Sequence, residues 1–224
     1  MTAFFPLSRG EGRWLAGCVL ALAILSADVL SGGPLSAFDT ILRDRIQGDP
    51  ASAPLWLQLP SDLGGIGVAS AIILVVALVT GQRIWRFWPV IFAVGTLAVL
   101  EVLVYFSKSL IARPGPGERT DLSTYPGYFP SGHAATSAVA TGVVIFLLFV
   151  WTPTLRLDNA SLAGQVGAVA MGVLALLRAL VEDFHWLTDG VAGVLLASIV
   201  LTLGFAAARR YVQVTGRRSP LPYR

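Results

Sequence analysis

Long apolar runs alternate with shorter polar stretches along the chain, and the length of these runs predicts helices that cross a membrane. A helix needs about 20 apolar residues to span the hydrocarbon core of a bilayer. Six runs approach that length, at residues 14–30, 65–80, 87–106, 133–151, 162–181 and 189–208. No small-residue cleavage site closes the first run, so we expect it to be retained as a span. We therefore predict a single-domain all-α membrane protein, residues 1–224, built as a six-transmembrane-helix bundle.

The segment that joins the first two runs, residues 31–64, is rich in Gly, Pro, Ser and Asp, yet it carries apolar positions at helical spacing. These positions are Leu35, Phe38, Ile41, Leu42 and Ile46, with charged residues between them. This pattern predicts a short amphipathic helix on the membrane surface, between spans 1 and 2. Two roles for this helix stay open: a packing cover over the end of the bundle, or a part in substrate access.

The composition supports the membrane interpretation and argues against a nucleic-acid partner. Hydrophobic residues make up 55% of the chain and charged residues only 13%, whereas soluble domains carry about 25% charged residues. An ordinary water-soluble globule is therefore excluded. The net charge of +3 does not indicate binding to nucleic acid, because the arginines stand at the ends of apolar runs and form no contiguous basic face.

The placement of the 16 lysines and arginines predicts the orientation of the chain in the membrane. With six spans, both termini lie on one side, and that side carries the larger share of the basic residues. Basic residues concentrate on the cytoplasmic side of membrane proteins. We therefore expect a multi-pass protein of the cell membrane with both termini in the cytoplasm. The arginine-rich, nearly lysine-free composition suggests a bacterial source, and the sequence does not indicate an oligomeric state.

The side chains best suited to chemistry fall at the predicted extracytoplasmic ends of the spans. The two histidines of the chain are His133 and His185, and its one lysine is Lys108. In a six-helix arrangement, the loops after the third and fifth spans open on the same face. These three residues can therefore converge at one depth, although they are distant in the sequence.

Two of the polar groups flank the connection between the third and fourth spans. Lys108 and Arg113 are cations at the end of an apolar helix, where charge is costly unless it is used or snorkels to water. The segment from Pro130 to His133 places a capping serine, a glycine and a histidine at the start of the fourth span. The free N–H groups of a helix N-terminus bind anions, and a histidine there can protonate a leaving oxygen. A plain helix cap with an interfacial histidine is the alternative.

The third group consists of Arg178, His185 and Asp189. A histidine four residues before a carboxylate shares a helix face with it if the turn between them is helical. The carboxylate can accept the Nδ1 proton, which leaves Nε2 free to attack; a tethered polar contact at the membrane surface is the alternative. Taken together, the three groups supply the cations and the two imidazoles that phosphoryl transfer requires.

With these motifs the sequence resembles the type 2 phosphatidic acid phosphatase (PAP2) family, whose signature is K-x6-RP, then PSGH, then SR-x5-H-x3-D. PSGH is matched without change at residues 130–133, and HWLTD at 185–189 keeps the H-x3-D part. The resemblance covers about residues 108–189 and, through the pattern of six spans, nearly the whole chain.

The sequence departs from this signature at three points. The arginine position of K-x6-RP falls on Gly115, and Arg113, also followed by proline, stands two residues earlier. Leu177 replaces the serine before Arg178. Six residues, not five, separate Arg178 from His185. The additional residue predicts a bulge or a longer loop before the histidine.

The resemblance implies a role for each matching residue. His185 would be the nucleophile that forms a phosphohistidine, Asp189 would orient it, and His133 would be the general acid. The residues implied to hold the phosphate are Lys108, Arg113, Ser131, Gly132 and Arg178. No metal or other cofactor is implied, and the predicted outer loops show no carboxylate–histidine cluster with ligand spacing.

The resulting prediction is a membrane lipid phosphatase that hydrolyses a lipid phosphomonoester or diphosphate. Undecaprenyl diphosphate, phosphatidate and phosphatidylglycerol phosphate are all compatible substrates, and membrane lipids are the other expected partners. Two alternatives stay open: a phosphotransferase that passes the phosphate to an alcohol acceptor, and a non-catalytic lipid-binding or transport bundle. Glu101, inside the third span, is expected to face the bundle interior below the site, with a structural hydrogen bond as the favoured role.

Overall fold

The computed structural model describes residues 7–46, 62, 64–84, 86–117, 121–123, 125–150 and 157–216. Within these ranges the chain forms seven α-helices and no strand. The helices are α1 (Arg9–Ser31), α2 (Pro34–Ile46), α3 (Ile66–Ile84), α4 (Trp88–Ile111), α5 (Gly132–Val150), α6 (Leu157–Val181) and α7 (Leu187–Gly216).

Six of these helices, α1 and α3 to α7, are long and apolar enough to cross a membrane. The predicted six-helix membrane bundle is therefore confirmed, as is the shorter helix between its first two spans. The structure extends several predicted spans, and α7 continues to Gly216, eight residues beyond the predicted end at residue 208. Residue 151, the predicted end of the fourth span, lies outside the described residues.

Helices α5 and α7 form the centre of the bundle. In the most apolar stretches of α5 and α7, 61% and 67% of the residues are buried, against 11% in α1. The buried face of α5 consists mainly of alanine, serine, threonine and glycine, and such small residues let neighbouring helices approach closely. A Cβ atom on Gly164 of α6 would lie 2.9 Å from the carbonyl oxygen of Gly142, so α5 and α6 meet with backbone against backbone.

Aromatic rings fill the wider space between the central helices. The rings of Phe146 and Phe205 are stacked at 4.7 Å, and Phe92 lies 5.3 Å from Phe146. Phe146 and Phe205 are each 1% exposed or less. These contacts join α4, α5 and α7 and fix the relative positions of the helices that carry the motifs.

Arg209 joins three helices at the end of the bundle remote from Lys108. Its guanidinium donates to Glu11 of α1 at 2.6 Å and to Ser161 of α6 at 2.5 Å. Glu11 also accepts the backbone N–H of Ser8, in a capping box that begins α1. One carboxylate therefore satisfies both a helix N-terminus and a buried cation.

Helix α2 covers one end of the bundle with its polar side turned inward. The Asp28 carboxylate of α1 accepts the backbone N–H groups of Leu35 at 3.1 Å and Ser36 at 2.8 Å, which caps α2. On α2, Phe38 and Ile41 are exposed, whereas Asp39 is only 2% exposed. The exposed apolar face suits the predicted position at the membrane surface, and the buried Asp39 supports the interpretation of α2 as a packing cover.

Candidate active site

The second and third motif groups are in direct contact. The backbone N–H of Ser131 donates to the carbonyl oxygen of Asp189 at 2.8 Å. The turn before α5 reaches α7 this closely because Gly193 carries no side chain: a Cβ there would lie 2.5 Å from the Ser131 carbonyl oxygen. Ser131 itself is fully buried, and its hydroxyl accepts the backbone N–H of Ala134 at 3.4 Å, as a helix cap does.

His185 and Asp189 form the pair that their spacing predicts. Nδ1 of His185 lies 3.3 Å from Oδ2 of Asp189, and the two residues are 3% and 0% exposed. Oδ2 of Asp189 also accepts the backbone N–H of Trp186 at 3.2 Å, so the carboxylate both orients the imidazole and caps the first turn of α7. With Nδ1 directed at the carboxylate, Nε2 is the nitrogen on the opposite edge of the imidazole ring.

His133 lies on the same side of the bundle as His185, and the ring of Phe184 contacts both. The Phe184 ring centroid is 6.5 Å from that of His133 and 5.6 Å from that of His185. Tyr128 closes the other side of His185, with ring centroids 5.5 Å apart. The predicted convergence of the two imidazoles is therefore present in the structure, whereas the aromatic residues around them carry no distinguishing signal in the sequence.

Lys108 is buried beside the PSGH turn. Its ammonium group donates to the hydroxyl of Tyr125 at 2.6 Å and to the carbonyl oxygen of Gly127 at 2.8 Å. Only 5% of Lys108 is exposed, so its position differs from that of a lysine that snorkels to water. Burial, with Tyr128 and Asp189 nearby, raises the pKa of the Tyr125 phenol. Tyr125 therefore stays neutral at physiological pH, and its oxygen accepts a hydrogen bond from the ammonium group.

Arg113 is bonded to two buried carboxylates. Nη1 donates to Oδ1 of Asp189 and to the hydroxyl of Thr188, both at 2.6 Å, and Nη2 donates to Oδ2 of Asp39 at 2.8 Å. Both carboxylate side chains are 0% exposed, and the arginine side chain is 10% exposed. The phosphate contact implied for Arg113 stays a prediction, while the structure brings Arg113 behind the acid that orients His185. The role of Asp39 could not be predicted from the sequence, because its pairing with Arg113 joins residues 74 positions apart.

Arg178, in the last turn of α6, forms ion pairs with two acidic side chains. Its Nε donates to Glu182 at 2.8 Å and its Nη1 donates to Asp62 at 2.7 Å. The Asp62 side chain is 65% exposed, and ion pairs that are open to solvent contribute only about 0–1 kcal/mol. An incoming anion can therefore replace Asp62 at little cost.

The extra residue between Arg178 and His185 is accommodated by a tight turn. Helix α6 ends at Val181, and Asp183 adopts a left-handed conformation with φ 51°. The backbone N–H of Phe184 then donates to the carbonyl oxygen of Ala179 at 2.8 Å. This turn returns the chain so that His185 lies beside the end of α6.

A cleft of about 270 Å³ leads from the site along α4 and α5. Lys108 and His133 line it at one end, and Glu101, two helical turns before Lys108, lines it at the other. Glu101 accepts the hydroxyl proton of Thr136 at 2.7 Å. It thus faces the bundle as expected, and its hydrogen bond joins α4 to α5. Among the described residues, no group of three or more His, Cys, Asp or Glu side chains is arranged to hold a metal ion.

The fold and this cluster define a multi-pass helical membrane protein with paired imidazoles and buried cations at one end of the bundle. The family model of the PAP2 superfamily matches residues 88–212, more than half of the chain, and the chain belongs to this family. The family prediction is therefore confirmed.

A solved structure with the same fold agrees with this assignment. The chain is similar to a transmembrane PAP2-type phosphatidylglycerolphosphate phosphatase from Bacillus subtilis, with a TM-score of 0.68 and 16% identity. The similarity covers 94% of this chain and 98% of that chain. No curated protein matches the chain. At this identity the structural likeness establishes the common fold.

Replacing Arg113 by methionine is expected to destabilise the protein. The substitution leaves the buried Asp39 and Asp189 carboxylates without their shared cation, and breaking a buried ion pair in this way costs about 3–5 kcal/mol. The thermal midpoint of the detergent-solubilised protein should fall clearly. Arg45→Met, at an exposed position of α2, is the control and should leave the midpoint unchanged. Equal midpoints for the two variants would contradict the structural role of the ion pair.

Proposed function

We propose that this protein is a membrane lipid phosphatase that works through a phosphohistidine formed on His185. Membership of the PAP2 superfamily and the shared fold support a lipid phosphatase. The observation that carries the proposed mechanism is the buried His185–Asp189 pair, with His133 across the same Phe184 ring. A nucleophile, the acid that orients it and a second imidazole are thereby gathered at one end of the bundle.

In the first step, the lone pair on Nε2 of His185 attacks phosphorus. The bond between phosphorus and the leaving oxygen breaks, and His133 gives its proton to that oxygen. Asp189 holds the Nδ1 proton and stabilises the positive charge that develops on the imidazole. The products of this step are the released lipid, or a lipid monophosphate where the substrate is a diphosphate, and a phosphohistidine.

In the second step, water hydrolyses the phosphohistidine. His133, now neutral, accepts a proton from the attacking water, and the P–N bond breaks with its electron pair returning to Nε2. Inorganic phosphate leaves, and both histidines regain their initial state. His133 therefore acts as acid and then as base, and the exposure of its side chain gives water a route to it.

The phosphate oxygens are held by cations and by the start of α5. Lys108 has three N–H donors, of which Tyr125 and Gly127 accept two; the third is assigned to the phosphate. Arg178 exchanges exposed Asp62 for a phosphate oxygen. The Ser131 hydroxyl and the backbone N–H of Gly132 contribute at the helix N-terminus.

The substrate is assigned to the class of lipid phosphomonoesters or diphosphates. The cleft beside the site is walled by apolar residues such as Ile66 and Val104, which suits the part of a lipid nearest to its headgroup. The protein of similar fold is named for phosphatidylglycerolphosphate. We take that lipid, phosphatidate and undecaprenyl diphosphate as the substrates to compare.

Purified protein should release phosphate from at least one of these three lipids, and His185→Ala should lower the rate by about a thousandfold or more, as removal of a nucleophile does in other enzymes. Thr215→Ala is the matched control on α7, because the Thr215 hydroxyl donates to the Tyr211 carbonyl oxygen at the helix end opposite to Asp189. Equal rates for wild type and His185→Ala would refute the histidine mechanism. A phosphorylated alcohol as the main product, when an alcohol acceptor is added, would favour the phosphotransferase alternative.

Phosphate release is expected to persist in excess chelator, because the proposed stabilisation of the phosphoryl group comes from Lys108, Arg178 and backbone N–H groups. Orthovanadate, which mimics pentacoordinate phosphorus, should inhibit. The measurement is the rate of phosphate release with chelator, with added Mg²⁺ and with vanadate. A strict requirement for Mg²⁺ would contradict the proposed metal independence.

The site is proposed to face the extracytoplasmic side, with both termini in the cytoplasm. Arg9, Arg13 and Arg210 lie at the opposite end of the bundle, although part of the basic residues behind this prediction lie outside the described residues. Single cysteines are introduced by Asp121→Cys and Gln213→Cys in a Cys18→Ser background. An impermeant maleimide should label the first in intact cells and the second only after permeabilisation. The reverse pattern would overturn the orientation.

A further inference from the structure

We propose that Asp39 of α2 is a positioning residue for the phosphohistidine reaction, acting through Arg113 on the carboxylate of Asp189. The assignment rests on the proposed function of the site and adds a residue outside the matched motifs. Asp39 is joined to the His185–Asp189 pair through one shared guanidinium.

Arg113 divides its two terminal nitrogens between two carboxylates. An arginine can bind both oxygens of one carboxylate through two parallel N–H···O bonds. Here Nη1 goes to Oδ1 of Asp189, while Nη2 goes to Oδ2 of Asp39. Oδ2 of Asp189 is therefore left to His185 and the backbone of Trp186. Asp39 thus keeps Arg113 from competing with the imidazole for that oxygen.

Asp39 also affects how far Arg113 neutralises the negative charge of Asp189. Asp39 and Asp189 are both fully buried, and a buried carboxylate is stable as an anion only with a partner. Because the positive charge of Arg113 is shared between two carboxylates, it neutralises each of them less than it would neutralise a single partner. Asp189 consequently retains more negative charge to stabilise an imidazolium on His185 than it would if it were paired with Arg113 alone.

Thr188 connects the two carboxylates a second time. Its backbone N–H donates to Oδ1 of Asp39 at 3.1 Å, and its hydroxyl donates to Oδ2 of Asp39. The same hydroxyl oxygen accepts a hydrogen bond from Nη1 of Arg113 at 2.6 Å. Since Thr188 immediately precedes Asp189, Asp39 sets the position of the first turn of α7 as well as the arginine.

Helix α2 holds Asp39 in place through contacts on both sides of it. The Asp28 carboxylate caps its N-terminal end, as described above. Near its C-terminal end, Arg43 donates to both oxygens of Asp183 at 2.7 and 2.9 Å. Asp183 lies in the turn that leads to His185. The cover helix is therefore fastened to the same loop whose histidine it helps to orient.

The test compares Asp39→Asn with wild type in the phosphate-release assay, using folded protein taken from a monodisperse gel-filtration peak. We expect kcat to fall about 10- to 100-fold, the range seen when the outer partners of metal ligands are removed, while KM changes less than about threefold because Lys108, Arg178 and the start of α5, which hold the phosphate in the proposed site, are unchanged. Asp39→Glu, which restores the charge, should recover part of kcat. Asp44→Asn, at an exposed position of the same helix, should keep the wild-type kcat and KM.

Each result decides the assignment. A wild-type kcat in Asp39→Asn, or a rise in KM with kcat unchanged, overturns it while leaving the proposed function intact. Loss of folded protein without loss of kcat per folded molecule indicates a purely structural role and also overturns it. Should Asp39→Asn yield no folded protein, Thr188→Val removes the hydroxyl that links Asp39 to Arg113 and must show the same loss of kcat. Absence of phosphate release from wild type refutes the proposed function itself.

Discussion

Arg113, held between two buried carboxylates, is the interaction on which the organisation of the candidate site depends. It joins the end of α4, the start of α7 and the cover helix α2 through contacts of 2.6–2.8 Å. Buried charges are tolerated only when they are matched and hydrogen-bonded. Removing Arg113 leaves two buried carboxylates without their cation, so these three segments are assembled as a unit. Asp189, one of the two carboxylates bound to Arg113, in turn orients His185.

The close packing of the bundle brings the PSGH turn against the His185–Asp189 pair. The side chains of α5 are small, and Gly142, Gly164 and Gly193 allow backbone to meet backbone. The Ser131 turn can therefore dock directly on Asp189. A bundle with larger side chains at these positions would separate the PSGH segment from the histidine–carboxylate pair. The apolar architecture and the polar site are consequently two aspects of one packing arrangement.

The features that could be predicted from the sequence are those that depend on the spacing of residues along the chain. Span positions follow from run length against bilayer thickness, α2 from periodicity, and the His185–Asp189 pair from a four-residue spacing, although His185 precedes the first residue of α7. The partners of Arg113 could not be predicted, because Asp39 and Asp189 lie 74 and 76 residues away and no periodic pattern marks such pairings. The position of Phe184 between the two imidazoles depends on a turn at Asp183, whose left-handed conformation is unusual for a residue with a side chain.

Helix α2 exposes apolar side chains and buries the carboxylate of Asp39, which is the reverse of the pattern on a water-soluble protein. We therefore expect the docking of α2 to depend on lipid or detergent that covers the exposed side chains of Phe38 and Ile41. We expect a detergent that covers the long spans but removes the lipid around α2 to weaken the docking of α2, and with it the position of Asp39. We therefore expect nanodiscs or retained annular lipid to preserve the position of Asp39 better than detergents that strip the surface of the bundle.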